Sequence, residues 1–186
     1  MSSTLKVDIL QDSGGNNLVT SNGSGVITSA GFGKIGQVVT TTKTDTFTLS
    51  TGSNTFTDVT GLSATITPSS TSSKIYINFM ITYGNSTGSI VKARLLRGTT
   101  AICIGDASGS RQQATTGNYN GVASTAMIQA LTQNFVDEPS TTSATTYKLQ
   151  VGTENATLYV NRNSRNDDAA RDGIYTSSIT LMEVLP

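Results

Sequence analysis

Three carboxylates stand close together near the end of the chain, Asp167, Asp168 and Asp172, and carboxylate oxygens are the donors a calcium ion takes. Their spacing matches no calcium-loop template, and Arg165 and Arg171 beside them supply neutralising charge. A solvated loop is therefore the expected reading. Asp137 and Glu138 are the other acid pair with a possible reaction, as the two carboxyls of glycoside hydrolysis. Neighbours on an extended chain point to opposite faces, which denies that pair its convergence. With no histidine and a single cysteine, Cys103, the chain has no disulfide framework, zinc site or His-based catalysis within one copy. Cys103 lies in the apolar run TAICIG and reads as a buried small hydrophobe. The glycines of 14–15 and 105–109 read as turn residues, since neither pair stands between a strand and a helix as a phosphate loop does. No catalytic residue, cofactor or metal is expected, and the chain reads as a protein that is not an enzyme.

Recognition chemistry is better represented. Two long polar segments, 105–120 and 161–173, carry side chains that hydrogen-bond or stack on sugars. In the first these are Arg111, Gln112, Gln113, Tyr119 and Asn120; in the second, Arg162, Asn163, Arg165 and Asn166. The plain reading is a solvated loop, and the absence of tryptophan argues against a strong carbohydrate site.

The elements that must carry these loops are strands. Serine and threonine make up about 30% of the chain and charged residues 13%, a balance that suits pleated surfaces. Leu62, Ala64 and Ile66 alternate with polar neighbours, and Ile75, Ile77, Phe79 and Ile81 repeat the pattern after a break at Pro68 and the hydroxyl-rich run behind it. That stretch, 61–84, is a hairpin or a corner between sheets. Val91, Ala93 and Leu95 form the inner face of a second hairpin whose return is AICIG. Val122, Ala126, Ile128 and Ala130 mark a strand over 122–136, with STAMIQALTQNF the best helical competitor. Tyr147, Leu149 and Val151 mark the next strand, Leu158 and Val160 another, and SSITLMEVLP the last. About eight or nine strands at such spacings predict an all-β chain, a jelly-roll-like β-sandwich of about eight strands over 37–186.

Residues 1–36 are different. Leu5, Val7 and Ile9, then Leu18 and Val19, then Val26 and Ile27 form apolar groups too small to build a core, and SAGFGKIG with Phe32 follows as a linker. Such a segment is either a flexible tail or an arm, and strand-like alternation favours a β-rich arm that is completed by copies of itself or by another protein. Twelve basic and twelve acidic residues give zero formal charge, so nucleic-acid binding has no long-range support. No apolar run approaches membrane-spanning length and no signal peptide is evident, so synthesis in a cytoplasm without membrane insertion is expected.

The opening LKVDILQDSGGNNLVTSNGSGVIT resembles the N-terminal segment of tail-fibre-like and other virion structural proteins of marine bacteriophages of the cyanophage type. The body is similar to the same group through GKIGQVV, GLSATITPSSTSSKIYINF, RLLRGTTAICIGD, PSTTSATTYKLQV, LYVNRN and ITLMEV. The resemblance implies a virion component, a homotrimer with a β-rich attachment arm and a jelly-roll head, made in the host cytoplasm. Its partners would be itself, other tail or capsid proteins and a host-surface glycan. A short tail fibre or spike is the first expectation, and a capsid decoration protein is the close competitor. A carbohydrate-active enzyme and a free lectin are readings from other classes.

Overall fold

A computed structural model describes residues 7–21, 23, 27–29, 34–50, 54–121 and 124–186. All the helix-or-strand elements among them are strands, and the chain divides into two compact units, Met1–Lys34 and Ile35–Pro186.

The first unit is a three-stranded antiparallel sheet of β1 (Ile9–Gln11), β2 (Asn17–Ser21) and β3 (Ile27–Ser29), in that order. Its first turn is closed by Asp12, whose carboxylate accepts the backbone N–H groups of Gly14 at 2.8 Å and Asn16 at 2.9 Å. The side chain of Asn16 binds the same carboxylate and, with those N–H groups, holds its pKa below the ordinary value.

The second unit runs through β4 (Ile35–Lys43), β5 (Phe47–Leu49), β6 (Thr57–Ile66), β7 (Lys74–Asn85), β8 (Ser89–Arg97), β9 (Thr100–Ile102), β10 (Thr116–Asn120), β11 (Gln129–Asp137), β12 (Thr145–Thr153), β13 (Leu158–Val160) and β14 (Ser177–Val184). Several of these are segments of one row. Strand β11 occupies one edge of β7, so β13 and β14, which pair with successive parts of β7, share its other edge. Strands β4 and β5 continue that arrangement outward on β14 and β13. Likewise β12 takes one edge of β8, leaving β9 and β10 to share the other. The result is eight rows. Numbered along the chain, the first sheet orders them 1-8-3-6 and the second 2-7-4-5, which is the arrangement of a jelly roll.

Period two explains the packing. Leu62, Ala64 and Ile66 of β6, Ile75, Ile77, Phe79 and Ile81 of β7, and Tyr147, Leu149 and Val151 of β12 all face one shared core and are nearly inaccessible to water. Pro68 and the serines after it carry the chain from the second sheet to the first, so the 61–84 stretch is a corner between sheets. Cys103 is half-buried against the core, and burial pushes its thiol pKa up.

Three expectations need correction. The body begins at Ile35, which pairs with Val184, so residues assigned to a linker already belong to the sheet. Strand β11 starts at Gln129 and its inner face is the odd one, with Leu131 buried and Ala130 exposed. Ser124 and Met127 form a turn before it, and no helix forms. The first polar segment also ends early, because Thr116–Asn120 is strand β10.

Two buried polar groups lock the layers. Glu183 of β14 is 1% exposed and accepts the Ser69 N–H at 2.6 Å, the Ser69 hydroxyl at 2.7 Å and Gln37 Nε2 at 2.8 Å. Burial alone would raise its pKa; the donors from Gln37 and Ser69 outweigh that and bring it to about 2. On the other edge of β7, opposite the same Ile75 that Glu183 pairs with, the hydroxyl of Tyr147 donates to Asp137 at 2.6 Å while Arg97 pairs with both oxygens of that carboxylate.

Candidate functional site

The longest excursion between two strands of one row joins β13 to β14, and Asn161 builds it. Its φ of 65° turns the chain out of the strand, a conformation asparagine adopts more readily than most residues. Its Nδ2 donates to the carbonyls of Lys43 at 2.9 Å and Asp45 at 2.8 Å, and its Oδ1 accepts the Ser177 hydroxyl at 2.6 Å. Asn161 thus ties the turn between β4 and β5 to both ends of the loop. The loop then crosses β7 at Gly84. A Cβ there would lie 2.8 Å from the Cα of Asn163 and 2.9 Å from the carbonyl oxygens of Arg162 and Met127, so only glycine permits the approach.

Beyond the crossing, the loop encloses a cavity of about 290 Å³ lined by Arg162, Asn163, Asn166, Asp167, Asp168, Ala169, Asp172, Gly173 and Ile174. Its floor is a closed polar network. Asp172 accepts from both Nε and Nη2 of Arg165, from Asn163 Nδ2 at 2.8 Å and from the Asp167 N–H at 3.2 Å. The Arg165 guanidinium, chief among these, holds the Asp172 carboxyl far below the usual carboxylate range. Asp167 pairs with Arg171 at 2.7 Å. Among the described residues no group of three or more acidic, cysteine or histidine side chains is placed to hold a metal ion, and Asp167 and Asp172 are engaged by arginines. The guanidinium of Arg162 lies 4.0 Å from the centre of the Tyr159 ring.

The predicted contact residues therefore separate by role. Arg162, Asn163 and Asn166 line the cavity, Asn163 buried and accepting the Asn166 N–H with Oδ1, whereas Arg165 is turned into the network. Of the other four, Tyr119 and Asn120 belong to β10 of the second sheet and Arg111 and Gln112 to the loop before it. Gln112 accepts from Lys92 Nζ at 2.6 Å and donates to the Asn54 carbonyl, and Arg111 donates to Ser108 at 3.0 Å. Tyr119 is 67% exposed opposite Ile90, and Asn120 ends β10 opposite Ser89. Gln113 fastens this loop to the sheet, donating to the Gly105 carbonyl at 2.7 Å while its own carbonyl accepts from Arg94 at 2.8 Å. Arg94 in turn stacks 3.9 Å from the centre of the Phe56 ring. The first segment is thus fastened to the second sheet, whereas the side-chain bonds of Asn163 and Arg165 in the second stay within their own loop.

The arm residues are placed on two faces of the first unit. Ile9 pairs with Thr20 and Leu10 with Val19, so Ile9 lies on one face and Leu10 and Val19 on the other, with Val7 just before β1. Val7, Ile9 and Leu10 are 54%, 48% and 51% exposed, Leu18 is exposed and Val19 half-buried. Ile27 opens β3 opposite Ser21; Leu5, Val26 and Phe32 lie outside the described residues. Of the acid pair, Asp137 serves Arg97 and Tyr147, while Glu138 pairs with Lys74 at 2.7 Å.

What sequence reading missed is Asn161, Glu183 and Gly84, the residues that hold the cavity loop and the sheet corner. The only advance signal was an acidic residue inside the apolar run ITLMEVLP.

No family model matches the sequence, and no curated protein matches it. Among solved structures, the crystal structure of the infectious bursal disease virus VP2 subviral particle matches with a TM-score of 0.39 and 15% identity, over 81% of this chain. This chain spans 38% of that protein's length.

Proposed function

We propose that this chain is a structural protein of a bacteriophage particle, a short tail-fibre or spike component that docks through its N-terminal sheet and assembles as a homotrimer. The observation that carries the reading is the first unit itself. Three short strands hold their hydrogen bonds but leave Val7, Ile9 and Leu10 in water on both faces, and an isolated sheet of that size is marginal until a second layer covers it. The jelly roll needs no such help. In this reading the arm attaches to the virion, and the cavity of Arg162 and Asn166 meets a host-surface glycan.

A capsid decoration protein is the second reading, favoured by a specific observation. Arg165 and Asn163 are consumed within their own loop, and Gln112 is held by Lys92, which leaves few free donors for a glycan. The chain is assigned no catalytic role in either case, since its adjacent carboxylates serve Arg97, Tyr147 and Lys74; a polysaccharide-clearing assay with purified protein checks this.

Deletion of residues 1–34 tests the docking role and spares β4. The truncated chain is expected to fold with the thermal stability of the intact body and to be missing from purified particles. Normal incorporation would contradict the reading. Imaging particles with an antibody against the body separates tail from capsid.

A further inference from the structure

The two sheets of the jelly roll present unlike outer faces. The second sheet carries Lys92, Arg94, Lys148 and Asp58, with Lys148 Nζ 2.6 Å from Asp58, and the loop of Gln112 lies over part of it. The outer face of the first sheet carries few charges. Its strand registers align Val38 with Met182, Met182 with Tyr76, and Tyr76 with Val136, one apolar stripe crossing all four rows. Val38 is 55% and Val136 47% exposed. The next two rows toward the cavity loop contain threonine, serine and asparagine apart from Met80, tied laterally by Thr40 to Thr180 at 3.0 Å and by Asn78 to Asn134. Charge returns only at the far end, with Lys74 and Glu138 paired to each other.

We propose that this face is where two copies of the chain pack, first sheet against first sheet. A two-fold contact juxtaposes one patch with itself, so any net charge on the patch would meet its like; a patch without charges meets no such penalty. Aligned sheet packing, with faces about 10 Å apart, then interdigitates the stripe of one copy with that of the other. The area suffices for a modest interface. Four rows about 4.8 Å apart and strands of about nine residues give a face on the order of 600 Å², against the roughly 600 Å² per partner at the lower end of specific interfaces. The zero net charge of the chain removes long-range repulsion between copies. The contact uses residues of the second unit only, so it adds a two-fold pairing to whatever association the arm brings.

The test uses the full chain. Val136→Lys and, separately, Val38→Lys are expected to halve the mass measured by light scattering, because each buries an unpaired charge in the contact. Both positions are exposed, so the fold is retained; Ser63→Lys on the other sheet leaves the mass unchanged. In a Cys103→Ala background, Val136→Cys reacts with a maleimide several-fold more slowly than Ser63→Cys. An unaltered mass in both lysine variants overturns the proposal. So does protection at position 136 without a change in mass, which would assign the cover to the chain's own N-terminal sheet or to another protein. Failure here leaves the docking role of residues 1–34 standing, since the deletion reads particle incorporation and not pairing.

Discussion

The N-terminal sheet and the jelly roll are written in the same alphabet and reach opposite outcomes. Both alternate apolar with polar residues, and both satisfy their turns with a carboxylate, Asp12 in one and Glu183 in the other. The difference is the second layer. In the body, each inner face meets another sheet and the alternation is converted into burial, as at Ile77, Leu149 and Leu181. In the first unit the same alternation places Ile9 and Leu10 on opposite sides of one thin sheet, and both stay wet. Hydrogen bonding alone does not make a sheet stable in water; the apolar area removed from water does.

The comparison is broken most severely at Asn161. Replacing it with alanine removes the donors to two carbonyls and the acceptor for Ser177, and puts a side chain with no local hydrogen bond at positive φ. The expected loss is about 3–5 kcal/mol in the body, read by denaturant unfolding. Asn161→Gly should recover about 1 kcal/mol of it, the backbone share.

Next in size is the acid response. The folded pKa of Glu183 lies near 2, below the 4.5 of the free side chain, so its contribution is complete above about pH 4.5 and is lost as the pH falls toward 2. Between those values the body should lose about 1–3 kcal/mol through this group, and Glu183→Gln should flatten that part of the stability profile. A profile as steep in the variant as in the natural chain would remove Glu183 from the account.

The smallest effect belongs to the first unit. Ile9→Ser combined with Leu10→Ser should alter the unfolding free energy of the body by less than about 0.5 kcal/mol, the usual range for exposed positions, while reducing incorporation into particles. A large loss of body stability would mean that the two units share a core.

Much of this was legible in the sequence because it is local. The inner faces of β6, β7, β8 and β12 follow from alternation alone, whereas β13 and β14 read as two separate strands although they share one edge of β7. The order 1-8-3-6 does not, since each pairing joins residues far apart, as Val38 with Met182. Strand β11 was misphased because Ala126 and Ile128 continue an apparent period through what is a turn, while Gln133 occupies an inner-face position that polarity marks as outer. The loop of 161–173 is legible from its polarity and lack of period, but the partners of its side chains are not. The carbonyl of Lys43 that holds Asn161 lies 118 positions away, and the neutralising charge expected from Arg165 does not by itself tell that its Nε and Nη2 both close on Asp172.

The central claim, that the body closes on itself while the N-terminal sheet waits for a partner, is tested most directly by amide hydrogen exchange on the dilute free chain and on assembled particles. The account predicts slow exchange throughout β7, β12 and β14 in both states, and in Ile9–Gln11 and Asn17–Ser21 only after assembly. Protection of those two strands equal to that of β7 in the dilute free chain would contradict it.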